Sequence, residues 1–279
     1  EHEEAQPLLR RGDGMRKLIG GLATLALLTA AAGQAEAGTL YLSQDSNGNG
    51  LFTVDTTTGL ATLAGAGITN VVGETVGLAP GDSGDVLFGS LWQGLTRINT
   101  DGSGSAALGP TTGIEGLAYD PSTGTVYGAI NGSFFTVSAL TGNIVANLAA
   151  PGGDVEGLAY FDGGVFGLAD GGDLRRYDIG TNVWSLIGNV GFDSDQSGLA
   201  YDTERNVLYA VSAANSFLYE VDPLTAASLR IGDTGLQDPG GGLAFVGVVP
   251  EPGTWALFGL GALGLIGARR RRKKAAPAA

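Results

Sequence analysis

One short apolar segment recurs along the chain. It reads Gly77-Leu78-Ala79, Gly116-Leu117-Ala118-Tyr119-Asp120, Gly157-Leu158-Ala159-Tyr160, Gly198-Leu199-Ala200-Tyr201-Asp202 and Gly242-Leu243-Ala244-Phe245, at spacings of 39, 41, 41 and 44 residues. A fixed period of this size marks stacked units that cannot bury their faces alone. With the recurring segment as strand a, a second strand b begins after a Gly/Asp/Asn turn at Val86, Val126, Val165 and Val207. A third, c, ends in Ile98-Asn99, Val137-Ser138, Tyr177-Asp178 and Val221-Asp222, and a fourth, d, follows a turn, as at 144–148 and 184–187. Four short strands per period of about 41 residues is the unit of a propeller blade.

The phase of the repeat constrains the fold further. The first β-segments, at 40–42, 51–55 and 60–64, match b, c and d, while a lone strand a, at 242–245, comes last. Five copies of each strand, shifted by one, predict an all-β, five-bladed β-propeller over 38–248 in which the last strand completes the first blade. Closure of this kind hides strand edges that would otherwise pair with other chains. The predicted core is the apolar alternation of Leu117 and Tyr119, Leu158 and Tyr160, Leu199 and Tyr201, and Leu243 and Phe245. Pro80 stands where the other copies carry an aromatic residue. The 49 glycines suit the many tight turns such a fold needs.

The two ends read as addresses. Met15-Arg16-Lys17 is a basic n-region, 18–32 an apolar run, and Ala35-Glu36-Ala37 a small-x-small cleavage site. Together they predict a helical signal peptide over 15–37, cut after Ala37, and export through the Sec machinery. Residues 1–14 read as an upstream extension, since position 1 is not Met. At the other end come Pro250-Glu251-Pro252, an apolar run over 253–268 and the cluster Arg269-Arg270-Arg271-Arg272-Lys273-Lys274, then a disordered end at 275–279. The apolar part, about 15 residues, is roughly 22 Å long as a helix. That is short for a span of about 30 Å, but flanking residues extend it, with the basic cluster on the cytoplasmic side. Gly259-Leu260-Gly261-Ala262-Leu263-Gly264 fits a dinucleotide-binding pattern, yet no strand precedes it, so its glycines read as small residues of a membrane helix.

This tail, over 249–274, closely resembles the PEP-CTERM sorting domain, whose motif, short apolar helix and basic cluster are all present. The resemblance implies recognition by an exosortase in a Gram-negative, exopolysaccharide-making bacterium. It also implies transient anchoring in the inner membrane and loss of the tail during sorting to the cell envelope or extracellular matrix. The middle of the chain resembles bacterial propeller repeats with Gly-Leu-Ala-Tyr-Asp and Leu-Tyr-x-Val-Asp-x-x-Thr-Gly patterns, a structural likeness shared by proteins of many functions.

Charge and residue type narrow the chemistry. Between Gly38 and Val249 there are 22 Asp and Glu against five Arg, a net charge near −17. Such a surface repels nucleic acid and favours cations; it also serves solubility. The whole chain has no Cys, its one His is His2, and its Lys residues are Lys17, Lys273 and Lys274. The propeller therefore cannot run Ser-His-Asp, Cys-His or Schiff-base catalysis. No catalytic residue is assigned.

In a propeller the d-to-a and b-to-c loops gather on one face around the axis. Those loops carry Glu74, Glu115, Asp154, Glu156, Asp193, Asp195 and Asp238, and Asp45, Asp170 and Asp173. Glu115, Asp154, Glu156, Asp170 and Asp173 are the expected ligand face. Two segments resemble the start of a calcium loop: Asp45-Ser46-Asn47-Gly48-Asn49-Gly50 and Asp193-Ser194-Asp195-Gln196-Ser197-Gly198. Asp45, Asn47, Asn49, Asp193 and Asp195 are the candidate ligands, because calcium takes six to eight oxygens and alternate Asp/Asn residues supply several from one turn. The same residues are also common turn formers. Apart from calcium no cofactor is expected. The leading expectation is a non-catalytic binding or structural module of the envelope or matrix, with a glycan or protein partner. The alternative is a carboxylate-dependent glycoside hydrolase using Glu115 and Glu156. Five-bladed propellers include glycosidases of the arabinanase and invertase kinds, whose acidic motifs have no match here.

Overall fold

The computed structural model describes residues 38–44, 50–65, 75–91, 94–109, 113–237 and 240–247. The signal peptide with Ala35 and Ala37, the sorting tail with Pro250, Glu251 and Pro252, and both expected terminal helices lie outside the described residues. Among the described residues no helix is long and apolar enough to cross a membrane.

Turn chemistry sets where the chain reverses. At the a-to-b turn, the N–H of Gly124 returns to the Asp120 carbonyl at 2.9 Å, and the N–H of Asn206 to Asp202 at 2.9 Å. Gly124 and Asn206 take φ values of 71° and 60°, a region open to Gly and Asn and costly for most other side chains.

Between such turns the apolar runs form, among the described residues, twenty strands. The chain opens with β1 (Thr39–Ser43), β2 (Leu51–Val54) and β3 (Ala61–Leu63). The second blade is β4 (Thr75–Pro80), β5 (Val86–Leu91), β6 (Gly94–Asn99) and β7 (Ser105–Ala107). The third is β8 (Gly116–Asp120), β9 (Thr125–Ile130), β10 (Ser133–Val137) and β11 (Ile144–Asn147). The fourth is β12 (Val155–Phe161), β13 (Gly164–Ala169), β14 (Asp173–Asp178) and β15 (Val183–Asn189). The fifth is β16 (Ser197–Asp202), β17 (Val207–Ser212), β18 (Phe217–Val221) and β19 (Ser228–Asp233), and β20 (Leu243–Val246) ends the described chain. Each blade is a four-stranded antiparallel sheet, and the first has the order β20-β1-β2-β3. The closing pair sets Leu40 opposite Phe245 and Leu42 opposite Leu243. The fold is thus the five-bladed propeller with the expected strand shift.

The innermost strands meet in a ring: β4 with β8, β8 with β12, β12 with β16, β16 with β20, and β20 with β4. The expected alternation is more than a one-sided core. Leu117 and Tyr119 pack toward the second blade, while Ala118 between them packs toward the fourth. Leu199 and Tyr201 likewise face the fourth blade and Ala200 faces the first. Both faces are buried because each inner strand is sandwiched between blades, and the small Ala lets the next blade approach. Tyr160 is only half-buried.

The recurring Gly has a steric cause. A Cβ on Gly77 would lie 2.9 Å from the Glu115 carbonyl oxygen, one on Gly116 2.8 Å from that of Glu156, and one on Gly157 2.9 Å from the Leu199 Cβ. Gly198 would meet the Gly241 carbonyl, and Gly242 the Leu78 backbone. Each inner strand leans on the next, and the last leans on the first.

Candidate functional site

Glu156 immediately precedes the repeat Gly. In β12 and β13, Val155 pairs with Ala169 and Gly157 with Leu168, so Glu156 is an extra, bulged residue. A bulge re-aims its side chain at the end of a sheet. Here the Glu156 carboxylate reaches the fifth blade and accepts the Ser197 backbone N–H at 3.2 Å. Ser197 is the residue of β16 equivalent to Glu156 in the repeat.

Asp170 follows β13 and opens the Asp170-Gly171-Gly172 turn, whose glycines take φ values of 78° and 89°. Asp195 lies in the d-to-a loop before β16. The buried Ser194 ties that loop down. Its hydroxyl donates to the Ala169 carbonyl at 2.7 Å and accepts the Gly172 N–H at 2.8 Å. Ser212 Oγ donates to the Asp195 carbonyl at 3.2 Å. Gln196 holds a left-handed φ of 51°, a conformation that costs energy in a non-Gly residue and is retained only where the surroundings impose it.

These constraints bring carboxylate oxygens of Glu156, Asp170 and Asp195 within 4.8 Å of one another. Burial, then the negative charges of Asp170, Glu115 and Asp195, push the Glu156 carboxyl up to about 8. Partial burial and the charges of Asp195, Asp154 and Asp193 also raise Asp170. The groups acting on both residues through space are all acidic.

The other expected face residues have separate engagements. Glu115 Oε2 accepts the Asn131 N–H at 3.2 Å, and Asp154 Oδ1 accepts that of Gly132 at 2.8 Å. Asp173 pairs with Arg175 at 3.0 Å, and Arg175 also donates to the Pro151 carbonyl. Asp193 Oδ1 accepts the Asp195 N–H at 3.3 Å within its own loop. Asp45, Asn47, Asn49, Glu74 and Asp238 lie outside the described residues. Ser197 and Ser194 were not singled out in the sequence. Only their equivalence to Glu156 and their place between two aspartates could have flagged them.

Along the axis, Tyr119, Tyr160, Tyr201, Phe245 and Pro80 line a cavity of about 30 Å³. It has room for about one water and none for a sugar. A larger ligand must therefore use the loops rather than this cavity.

Residues 248–272 match the PEP-CTERM protein-sorting motif. The motif marks an exported protein with a C-terminal tail for processing by an exosortase. No curated protein matches the chain in sequence. Among solved structures, a chain in the crystal structure of a nidogen/laminin complex superimposes with a TM-score of 0.54 at 11% identity, covering 75% of this chain and 98% of that one. A structural genomics protein of unknown function from Bacteroides thetaiotaomicron VPI-5482 aligns with a TM-score of 0.47 at 13% identity, covering 69% of this chain and 50% of that one. With 1071 solved chains matching, the likeness specifies architecture and leaves the chemistry to the loops.

Proposed function

We propose that the chain is an exosortase substrate of the cell envelope or extracellular matrix, whose propeller acts as a non-catalytic binding or structural module. The observation that carries this reading is the sorting motif at 248–272 on a chain whose preceding domain is a closed ring. A signal helix over 15–37 directs it to the Sec machinery, and a short helix after Pro252 holds it transiently in the inner membrane. The acidic end of the ring is the surface offered to a glycan or protein partner. A propeller of similar architecture occurs within a nidogen/laminin complex, so a role in protein–protein contact suits the fold.

The test is processing in a host that has an exosortase. Replacing Pro250, Glu251 and Pro252 with Ala should leave the tail uncut and the protein in the membrane fraction. Cleavage and release that continue in this variant would contradict the reading.

A second reading rests on one observation: a carboxyl raised to about 8, Glu156, beside the carboxylates of Asp170 and Asp195. That is the pairing of a protonated acid with an ionised partner that glycoside hydrolysis uses. Polysaccharide hydrolysis abolished by Glu156→Gln would favour this hydrolase over the binding module.

A further inference from the structure

We propose that Glu156, Asp170 and Asp195, with the Ser197 hydroxyl, form a calcium site that bridges the fourth and fifth blades beside the propeller axis. The inference concerns the ion alone and stands whichever larger partner the face engages.

Carboxylate geometry is the first ground. Three acidic side chains, one from the bulge in β12 and two from separate loops, place oxygens within 4.8 Å of one another. Like charges this close repel strongly outside bulk water. The charges that raise Glu156 through space are those of Asp170, Glu115 and Asp195, all of them acidic. Arg175, the basic residue nearest in sequence to Asp170, is engaged by Asp173 and the Pro151 carbonyl. A cation removes the repulsion that this arrangement otherwise carries.

An independent observation comes from Ser197. The residue is 3% exposed, and its Oγ has no hydrogen-bond partner. Buried hydroxyls are ordinarily satisfied, so this oxygen calls for a ligand. Its direction follows from the strand. β16 pairs with β17 without a register shift from Ser197 to Asp202. Ser197 therefore shares a face with Leu199 and Tyr201. Those two pack with Phe166 and Leu168 of the fourth blade, and Leu168 stands two residues before Asp170. The unpartnered Oγ thus lies on the face turned toward the blade that carries Glu156 and Asp170. The N–H of Ser197 already donates to Glu156.

Donor type selects the ion. Every ligand atom is an oxygen, and residues 38–249 contain neither His nor Cys. Such a set suits calcium or magnesium rather than zinc or copper. Magnesium demands a near-ideal octahedron of short bonds, whereas calcium accepts irregular sets of six to eight oxygens with waters among them. Donors drawn from two blades, two of them on exposed residues open to water, fit calcium better. Extracellular calcium modules bind at roughly 0.1–1 mM, which sets the expected range.

The experiment is thermal melting of the full chain at constant ionic strength, with EDTA, calcium chloride or magnesium chloride. Calcium at about 10 mM should raise the wild-type midpoint by roughly 3–6 °C and saturate. Magnesium should give a smaller rise. In Glu156→Gln the calcium-dependent rise should disappear, although this variant should melt above wild type in EDTA, which shows that it folds. In Ser197→Ala the calcium concentration at half-effect should increase several-fold. No calcium-dependent rise in the wild type, or an equal rise in Glu156→Gln, would overturn the proposal.

Discussion

Asp222 Oδ1 accepts the N–H groups of Leu224 and Thr225 at 2.7 and 3.1 Å, and Asp55 Oδ1 accepts those of Thr57 and Thr58 at 2.7 and 3.0 Å. Asp178 does the same for Thr181. These c-to-d turn aspartates close the backbone on itself. Hydrogen bonds from Thr57 and Thr58 hold Asp55 below the usual carboxylate range. Asp120 closes an a-to-b turn. Burial would raise it, but hydrogen bonds from Ser122 and Thr123 outweigh that and leave it low. Glu156 is the opposite case, pushed up to about 8 by burial and by Asp170, Glu115 and Asp195. The sign follows from linkage. Between the unfolded value near 4.5 and about 8 the folded state holds the proton more tightly than the unfolded chain. The contribution of Glu156 is therefore fully present below about 4.5 and is lost as pH rises toward 8. In EDTA, Glu156→Gln should gain about 2 kcal/mol over wild type at pH 8, after allowing for solvent screening, and almost nothing at pH 4.5. Urea melts at the two pH values measure this. A gain that is equal at both, or a loss at pH 8, would contradict the repulsion described here.

At the scale of the element, two devices set the inner strands. The first is the glycine that precedes each Leu-Ala pair. Gly116→Ala should cost about 1–3 kcal/mol, because the new methyl would lie 2.8 Å from the Glu156 carbonyl oxygen and from Leu158 Cγ. A chemical denaturation curve reads this directly; a variant as stable as wild type would mean that the blades stand further apart. The second device is the bulge at Glu156. The repeat made the strands legible, since Val126, Val165 and Val207 fall in β9, β13 and β17 as their spacing requires. The bulge was not legible. Ser197 occupies the same repeat position as Glu156 yet lies in regular pairing. The sequence around Gly157 and Gly198 is nearly the same, and the difference comes from how each strand meets its neighbour. Which carboxylates converge depends on that bulge, on the left-handed Gln196 and on the Arg175 partner of Asp173. The gathering of acidic loops was readable from the repeat, but the selection of Glu156, Asp170 and Asp195 among them was not.

For the whole molecule, closure is the governing feature. Among the described residues, five apolar clusters fill the five interfaces between adjacent blades, and the one between the first and second includes Leu51, Leu78 and Ala244. The last of the described strands thus belongs to the same sheet as the first, and its loss would open two interfaces at once. The offset of the repeat made this legible, because an open stack has no reason to begin with strand b and end with strand a. The most direct measurement uses the absence of Cys from the chain. Thr39 and Val246 are directly opposed in the closing pair, within the reach of a disulfide. In Thr39→Cys/Val246→Cys, mild oxidation should consume both thiols within one molecule and raise the melting midpoint, because the bond closes a very long loop. Thiols that stay free under oxidation, or that form only cross-linked dimers, would contradict the closed ring.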